Sequence, residues 1–303
     1  MLAVALPAAA VDLPTLVLAV FLVGAANGVL DIAMNANGLA VEHHAARPLF
    51  SSLHAAFSFW ALTGAAAAGA FAALGVEPLA HLLAWGGVGA IVVIALVPHL
   101  LTDVPSGSAP AGTRRPALPS RRLLALSAIA FCALLAEGAV FDWSGIFLAR
   151  EAGAREGVAA LGLALFSLTM GVGRLGGDAM RARVGAPALA RVGATIAATG
   201  LALAAIVSTT PVALAGFGLM GIGLSVVFPL TLRAAGRDTA QQLAAVSAIG
   251  YTGFLAGPPL IGLLAELGNL RGALALAIAA CAIAAVLAPE LREPGDRAVP
   301  SRR

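Results

Sequence analysis

Apolar residues run in blocks of about 20 positions along the whole chain, the length an α-helix needs to cross a hydrocarbon core of ~30 Å. Full spans are predicted near 15–41, 49–74, 78–100, 123–149, 157–176, 187–207, 211–232, 240–265 and 270–289, nine in all. Pro14, Pro48, Pro78, Pro187 and Pro211 stand near predicted starts, where a first helical turn tolerates a missing N–H. Residues 2–10, LAVALPAAA, are too short to cross and are followed by Asp12.

Composition agrees with a lipid-embedded chain. Hydrophobic residues make up 60% of 303 positions and charged residues 11%, too little polar surface to cover a soluble globule of this size. The formal charge of +3 raises the possibility of a nucleic-acid ligand, but the placement of the arginines argues for topology instead. There is no lysine. One side of the predicted topology holds Arg47, Arg114, Arg115, Arg121, Arg122, Arg174, Arg181, Arg183, Arg191, Arg233, Arg237, Arg292, Arg297, Arg302 and Arg303, in segments read as loops; the other holds Arg150, Arg155 and Arg271. Fifteen against three makes the first side cytoplasmic by the positive-inside rule. The C-terminus is then inside, the first span starts outside, and 102–122 is a cytoplasmic linker. Cys132 and Cys281 fall within spans and read as small apolar residues, with no disulfide or metal site.

The chain also resembles itself. Leu62, Gly64, Gly69, Ala72, Leu74 and Gly75 match Leu255, Gly257, Gly262, Ala265, Leu267 and Gly268 at a constant offset of 193, and a four-residue gap brings Gly24 onto Gly221. Spans one to three then correspond to spans seven to nine, a six-helix repeat. A second half starting near 123 expects its counterpart about 70 residues before Met1. On this reading residues 1–101 form an incomplete N-terminal bundle, 102–122 the linker and 123–303 a six-helix bundle with a tail. Residues 2–10 are then the outer end of a third helix; a signal peptide is the competing reading and lacks its basic n-region. A genuine nine- or ten-helix protein is the alternative to the repeat.

The stretch Gly173-Arg174-Leu175-Gly176-Gly177-Asp178-Ala179-Met180-Arg181-Ala182-Arg183-Val184-Gly185 is similar to the cytoplasmic-loop motif of the major facilitator superfamily. Gly28-Val29-Leu30-Asp31-Ile32-Ala33-Met34-Asn35-Ala36-Asn37 resembles the fucose-permease-like branch, as do Glu137–Ser144 (EGAVFDWS) and Gly250–Gly262 (GYTGFLAGPPLIG). The resemblance implies an all-α, polytopic two-bundle fold and alternating access. It makes spans one to three helices four to six, and spans four to nine helices seven to twelve. Helices one, two and most of three are then missing, and helix one of this family lines the cavity.

Candidate chemistry lies on polar residues inside spans. Asn27, Asp31 and Asn35 are four apart and share one helical face, with Asp31 roughly 15 Å from the cytoplasmic end. An ionisable group in a membrane costs ~2.5–3.5 kcal/mol, so this face must meet protein or a watery cavity. A carboxyl there is suited to proton exchange or solute binding, with helix packing as the bland reading. Ser51, His54 and Ser58 form a second stripe, and an Asp31–His54 relay is geometrically open. Glu137 is a deep acid in the second half, a candidate for solute or proton work or for pairing with a polar neighbour. Tyr251, Phe254 and Trp60 are placed either to stack on a solute or to pack, and Trp143 beside Asp142 to anchor an interface. Pro229 and the pair Pro258-Pro259 predict kinks with a possible gating use. Arg174, Asp178, Arg181 and Arg183 predict conformational gating through ion pairs, or plain topology determination.

The expected function is a secondary active transporter of a small polar solute in the bacterial inner membrane, coupled to H+, with no cofactor. A non-transporting or regulatory membrane protein is the alternative. An enzyme is not expected: Asp142-Trp143-Ser144-Gly145 lacks the first glycine of a G-x-S-x-G elbow, and His43-His44 has no spaced partners for a metal.

Overall fold

A computed structural model of the chain describes residues 2–45, 47, 49–100, 120–159 and 161–292, and among these it is entirely helical. The long elements are α1 (Leu13–Ala45), α2 (Phe50–Ala73), α3 (Pro78–Leu96), α4 (Arg121–Arg150), then, after the short α5 (Glu156–Ala159), α6 (Leu161–Val184) and α7 (Ala186–Val207). They are followed by α8 (Thr210–Leu224), α9 (Val227–Asp238), α10 (Ala240–Leu267), the short α11 (Leu270–Ala273) and α12 (Ala275–Leu287). Each of the nine predicted spans falls on a helix or a broken helix pair. Among the described residues seven helical stretches are long and apolar enough to cross a membrane by themselves. The helix α6 is outside that seven, because it carries Arg174 and Asp178.

Several boundaries move. The stretch Gly173–Val184, read as a loop motif, is the last part of α6, so the apolar-block reading stopped the helix too early. Arg174, Arg181, Arg183, Arg191, Arg233 and Arg237 therefore sit on helices rather than in loops. Gly185 alone joins α6 to α7 with φ +79, a left-handed backbone that suits glycine. Residues 2–9 form a 3-10 segment containing Pro7, packed on α1 and α3. Pro14, Pro78, Pro187 and Pro211 stand in first turns as expected, while Pro48 and most of the linker lie outside the described residues. The repeat match ends unevenly: Gly75 is left-handed with φ +69, whereas Gly268 is extended at φ −148.

The helices α4 to α12 make one densely packed group around α4, which lies against α10, α12, α9 and α6. Lipid offers no hydrophobic drive for helices to associate, so close approach through small residues supplies the dispersion contact. The antiparallel pair α7 and α8 shows this directly. A Cβ on Gly193 would lie 2.5 Å from the Gly223 carbonyl oxygen, and one on Gly200 would lie 2.6 Å from that of Gly216. The α4–α10 seam works alike, with Gly138 against Phe254 and Gly257 against Leu135. Cys132 and Cys281 are buried in this packing as free thiols. By contrast α1, α2 and α3 touch one another little, and α1 and α3 expose most of their surfaces. Of these three, α2 is the one held firmly to the larger group, by α6.

Replacing Gly200 with Leu must push α7 and α8 apart, so it should lower the thermal midpoint of the purified protein, with a cost of ~1–3 kcal/mol. Gly87→Ala on α3, where a Cβ meets nothing within 4 Å, should leave the midpoint unchanged. Equal midpoints for the two variants would contradict the seam.

Candidate functional site

Two polar clusters lie where α1 and α2 meet the larger group. The first is the start of α2. The opening N–H groups of a helix have no partners within it, and here four in succession are taken by two carboxylates from different helices. Glu42, in the last turn of α1, accepts from the backbone N–H of Leu49 and of Phe50, each at 2.9 Å. Asp178 of α6 accepts from the N–H of Ser51 at 3.2 Å and of Ser52 at 2.8 Å, and from the Ser52 hydroxyl at 2.9 Å. The positive end of the α2 dipole adds to both contacts.

Around this helix start the remaining charges are also engaged. The second Glu42 oxygen forms an ion pair with Arg233 of α9, and Glu42 and Arg233 are 7% and 6% exposed. The Ser51 hydroxyl donates to the Arg174 carbonyl at 2.9 Å. Arg174 is itself buried, and its Nε donates to the Ser225 carbonyl at 3.4 Å. That carbonyl is available because the residue four positions on is Pro229, which has no N–H and whose ring crowds the preceding turn. The expected Pro229 kink is thus a full break at Ser225-Val226, between α8 and α9.

The second cluster lies deeper, at Asp31, eleven residues before Glu42 on α1 and so about 16 Å away along the helix. Asp31 is half-buried, and the Tyr251 hydroxyl of α10 is its hydrogen-bonding neighbour. Asn35 is buried and donates its side-chain amide to the Asp31 backbone carbonyl at 2.9 Å. One carboxylate oxygen of Asp31 and the Asn35 amide oxygen find no hydrogen-bond partner among the described residues. Buried polar atoms of that kind call for water or a ligand. Glu137 of α4 is half-buried and interacts electrostatically with both Tyr251 and Arg174.

The structure sorts the predicted residues as follows. Asp31, Asn35, Glu137 and Tyr251 gather together, while Asn27 is exposed and stands apart from them. His54 is buried, its Nδ1 lies 3.0 Å from the Phe50 carbonyl and its ring packs on Phe50 at 4.7 Å. Its charged neighbours include Arg174 and Asp178 of the first cluster. The side chain of Ser58 lies outside the described residues. Arg174 and Asp178 are buried, whereas Arg181 is half-buried and Arg183 exposed. Pro258 and Pro259 stay within α10, which continues through them, and the Pro258 carbonyl accepts the Trp143 indole N–H at 3.2 Å. Trp60 stacks on Trp85 and Phe254 meets Phe141 edge to face, so both aromatics pack. Among the described residues no three His, Cys, Asp or Glu side chains form a metal-binding group.

Glu42, Arg233 and Ser52 escaped the sequence reading. The available signal was Glu42 lying seven residues before Leu49, within capping reach of the next helix across a short turn. Removing one partner of a buried ion pair strands the other charge. Arg233→Ala should therefore destabilise the protein by ~3–5 kcal/mol, and Arg233→Met combined with Glu42→Gln should recover part of that loss in thermal unfolding. A double variant no more stable than Arg233→Ala would show the pair to be unimportant.

No protein-family model matches the chain. It is 34% identical over 260 residues to an uncharacterised MFS-type transporter of Yersinia pestis, covering 84% of this chain and 67% of that protein. It is 35% identical over 289 residues to the uncharacterised transporter y4wD of Sinorhizobium fredii, covering 93% and 75%, and 33% identical over 286 residues to the membrane protein MosC of Rhizobium meliloti, covering 91% and 68%. In fold it is similar to the major facilitator transporter FucP in its outward conformation, with a TM-score of 0.72 at 18% identity over 96% of this chain and 80% of that one. A variant of the Escherichia coli fucose:proton symporter FucP gives a TM-score of 0.73 at 16% identity, covering 96% and 82%. The Yersinia and Sinorhizobium relatives and FucP are transporters rather than enzymes, and the chain, a multi-pass membrane protein with a fucose-permease-like fold, belongs to the major facilitator superfamily.

Proposed function

We propose that this protein moves a small polar solute by alternating access, coupled to protons, with Asp31 as the group that exchanges the proton. The observation that carries this reading is the meeting of Asp31 on α1 with Tyr251 on α10, flanked by Glu137 and Asn35, with polar atoms still unsatisfied. A carboxyl inside a membrane is expensive unless it serves a path for ions or solutes. The fucose:proton symporter that shares the fold supports a sugar-like solute and a proton as cargo.

In this reading α1, α2 and α3 correspond to helices four to six of the family and α4 to α12 to helices seven to twelve, two bundles rocking about the Asp31 cluster. The arginine-rich end is cytoplasmic, the C-terminus is inside, and the membrane is the bacterial inner membrane. The start of α2, with Glu42, Asp178, Arg174 and Arg233, is a gate that closes the cytoplasmic end, and Arg181 and Arg183 flank it. Contacts that exist in one conformation only bias the equilibrium between the two. A non-transporting membrane protein is the second reading, favoured by the thin packing among α1, α2 and α3.

In proteoliposomes, Asp31→Asn should abolish proton-driven accumulation while preserving solute exchange across the membrane. Accumulation at the wild-type rate would remove Asp31 from coupling, and a wild type that binds none of a panel of sugars and polyols would favour the second reading. For orientation, a cysteine at Ala182 should react with an impermeant maleimide only after permeabilisation of cells, and one at Gly153 without it. The reverse pattern would invert the topology.

A further inference from the structure

The start of α7 and the turn that follows α12 meet at the arginine-rich end of the molecule. After Leu287 the chain winds through a 3-10 turn, Ala288–Leu291, that buries Ala288 and Leu291. The last carbonyls of such an ending need donors, and two arginines supply them. Arg191 of α7 donates its Nε to the Ala285 carbonyl at 3.4 Å. Arg122 of α4 donates its Nε to the Glu290 carbonyl at 3.3 Å and its Nη2 to the Arg292 carbonyl at 3.4 Å. A cleft of about 200 Å³ remains between the two elements, lined by Pro187, Ala188, Arg191, Pro289 and Arg292. None of these residues belongs to either polar cluster.

The cleft carries two guanidinium groups and, among the described residues, no acidic side chain lines it. Glu290, beside Pro289, is exposed and not part of the lining, and Glu293, beside Arg292, lies outside the described residues. The contact with Ala285 uses one of the five donors of Arg191 and fixes its guanidinium, while the terminal N–H groups find no acceptor among the described residues. Ala188 stands in the first turn of α7, whose cap residue Gly185 provides no side-chain acceptor, so the positive end of that helix borders the cleft. Apolar surface lies beside it: Val192 and Val286, next in sequence to the bonded pair Arg191 and Ala285, are 54% and 73% exposed. Forked donors next to an apolar wall match a phosphate ester that carries acyl chains.

We infer that the cleft between α7 and the C-terminal turn binds the phosphate of an acidic phospholipid, with Arg191 and Arg292 as donors and Val192 and Val286 against its acyl chains. A soluble phosphate ester shares the headgroup chemistry but has nothing to lay on that apolar surface. A lipid held there ties the end of α12 to the start of α7. This site goes beyond the transport reading and does not rest on it.

The test is binding of dioleoyl phosphatidylglycerol to the full chain purified in a neutral detergent, measured by native mass spectrometry and by the thermal midpoint. The wild type should retain this lipid and gain in midpoint. Phosphatidylcholine, with the same chains and no net charge, should bind roughly tenfold more weakly or worse. Arg191→Gln combined with Arg292→Gln should weaken phosphatidylglycerol roughly 25-fold, a factor of about five per arginine near an acidic headgroup. Arg183→Gln combined with Arg237→Gln, equal in charge lost and outside the cleft, should change binding by less than about twofold. Arg191→Lys combined with Arg292→Lys should keep binding within about fivefold of the wild type, which separates lost charge from a damaged turn. Glycerol phosphate at millimolar concentration should fail to displace the lipid; displacement assigns the cleft to a soluble phosphate ester and overturns the lipid reading. A wild type that retains no phosphatidylglycerol, equal binding of the two lipids, or equal losses in the two glutamine pairs overturns the inference outright.

Discussion

Four polar contacts that join α1 and α2 to the larger helical group converge on the first turn of one helix. Four N–H groups at the start of α2 need acceptors, and a membrane protein cannot leave them to lipid. Glu42 and Asp178 supply those acceptors from helices on opposite sides of the contact, so a local requirement of one helix becomes the bond between two bodies. Neither carboxylate is isolated: Glu42 also meets Arg233, and Asp178 lies one turn beyond Arg174.

Close glycine-lined seams within α4 to α12 leave little room for one helix to shift against another. The regular packing is interrupted at the Ser225-Val226 break, where Pro229 removes a helical hydrogen bond and Arg174 takes the released acceptor. The same arginine stands near Glu137. Helix breaks in membrane transporters are tolerated where freed backbone groups find partners or line a cavity. This one does the former, and it does so with a charged side chain that is also exposed to the electrostatics of the site.

The central cluster is organised by a different constraint. Asp31, Asn35 and Tyr251 are brought together with polar atoms left over, rather than closed into a fully satisfied network. A purely structural buried network is expected to satisfy all its members. At the start of α2, by comparison, four N–H groups and both carboxylates are engaged. The histidine that resembles a shuttle in the sequence, His54, is bonded to the Phe50 carbonyl and packed against the Phe50 ring, near the start of α2.

The sequence by itself determined that the chain is helical and membrane-embedded, because apolar length and charge placement are local properties that lipid reads segment by segment. It also singled out Asp31, Glu137, Arg174 and Asp178, since ionisable groups within apolar runs are conspicuous. It misread the end of α6, where a run of glycines and charges looked like a loop although buried partners keep it helical. Tertiary structure alone decided which of these groups meet. The Asp178–Ser51 contact spans 127 positions and the Ser51–Arg174 contact 123, and nothing in local hydropathy encodes a pairing at that separation. Glu42 and Arg233 look like ordinary interfacial charges along the chain, and their importance appears only when two helices place them against each other out of water.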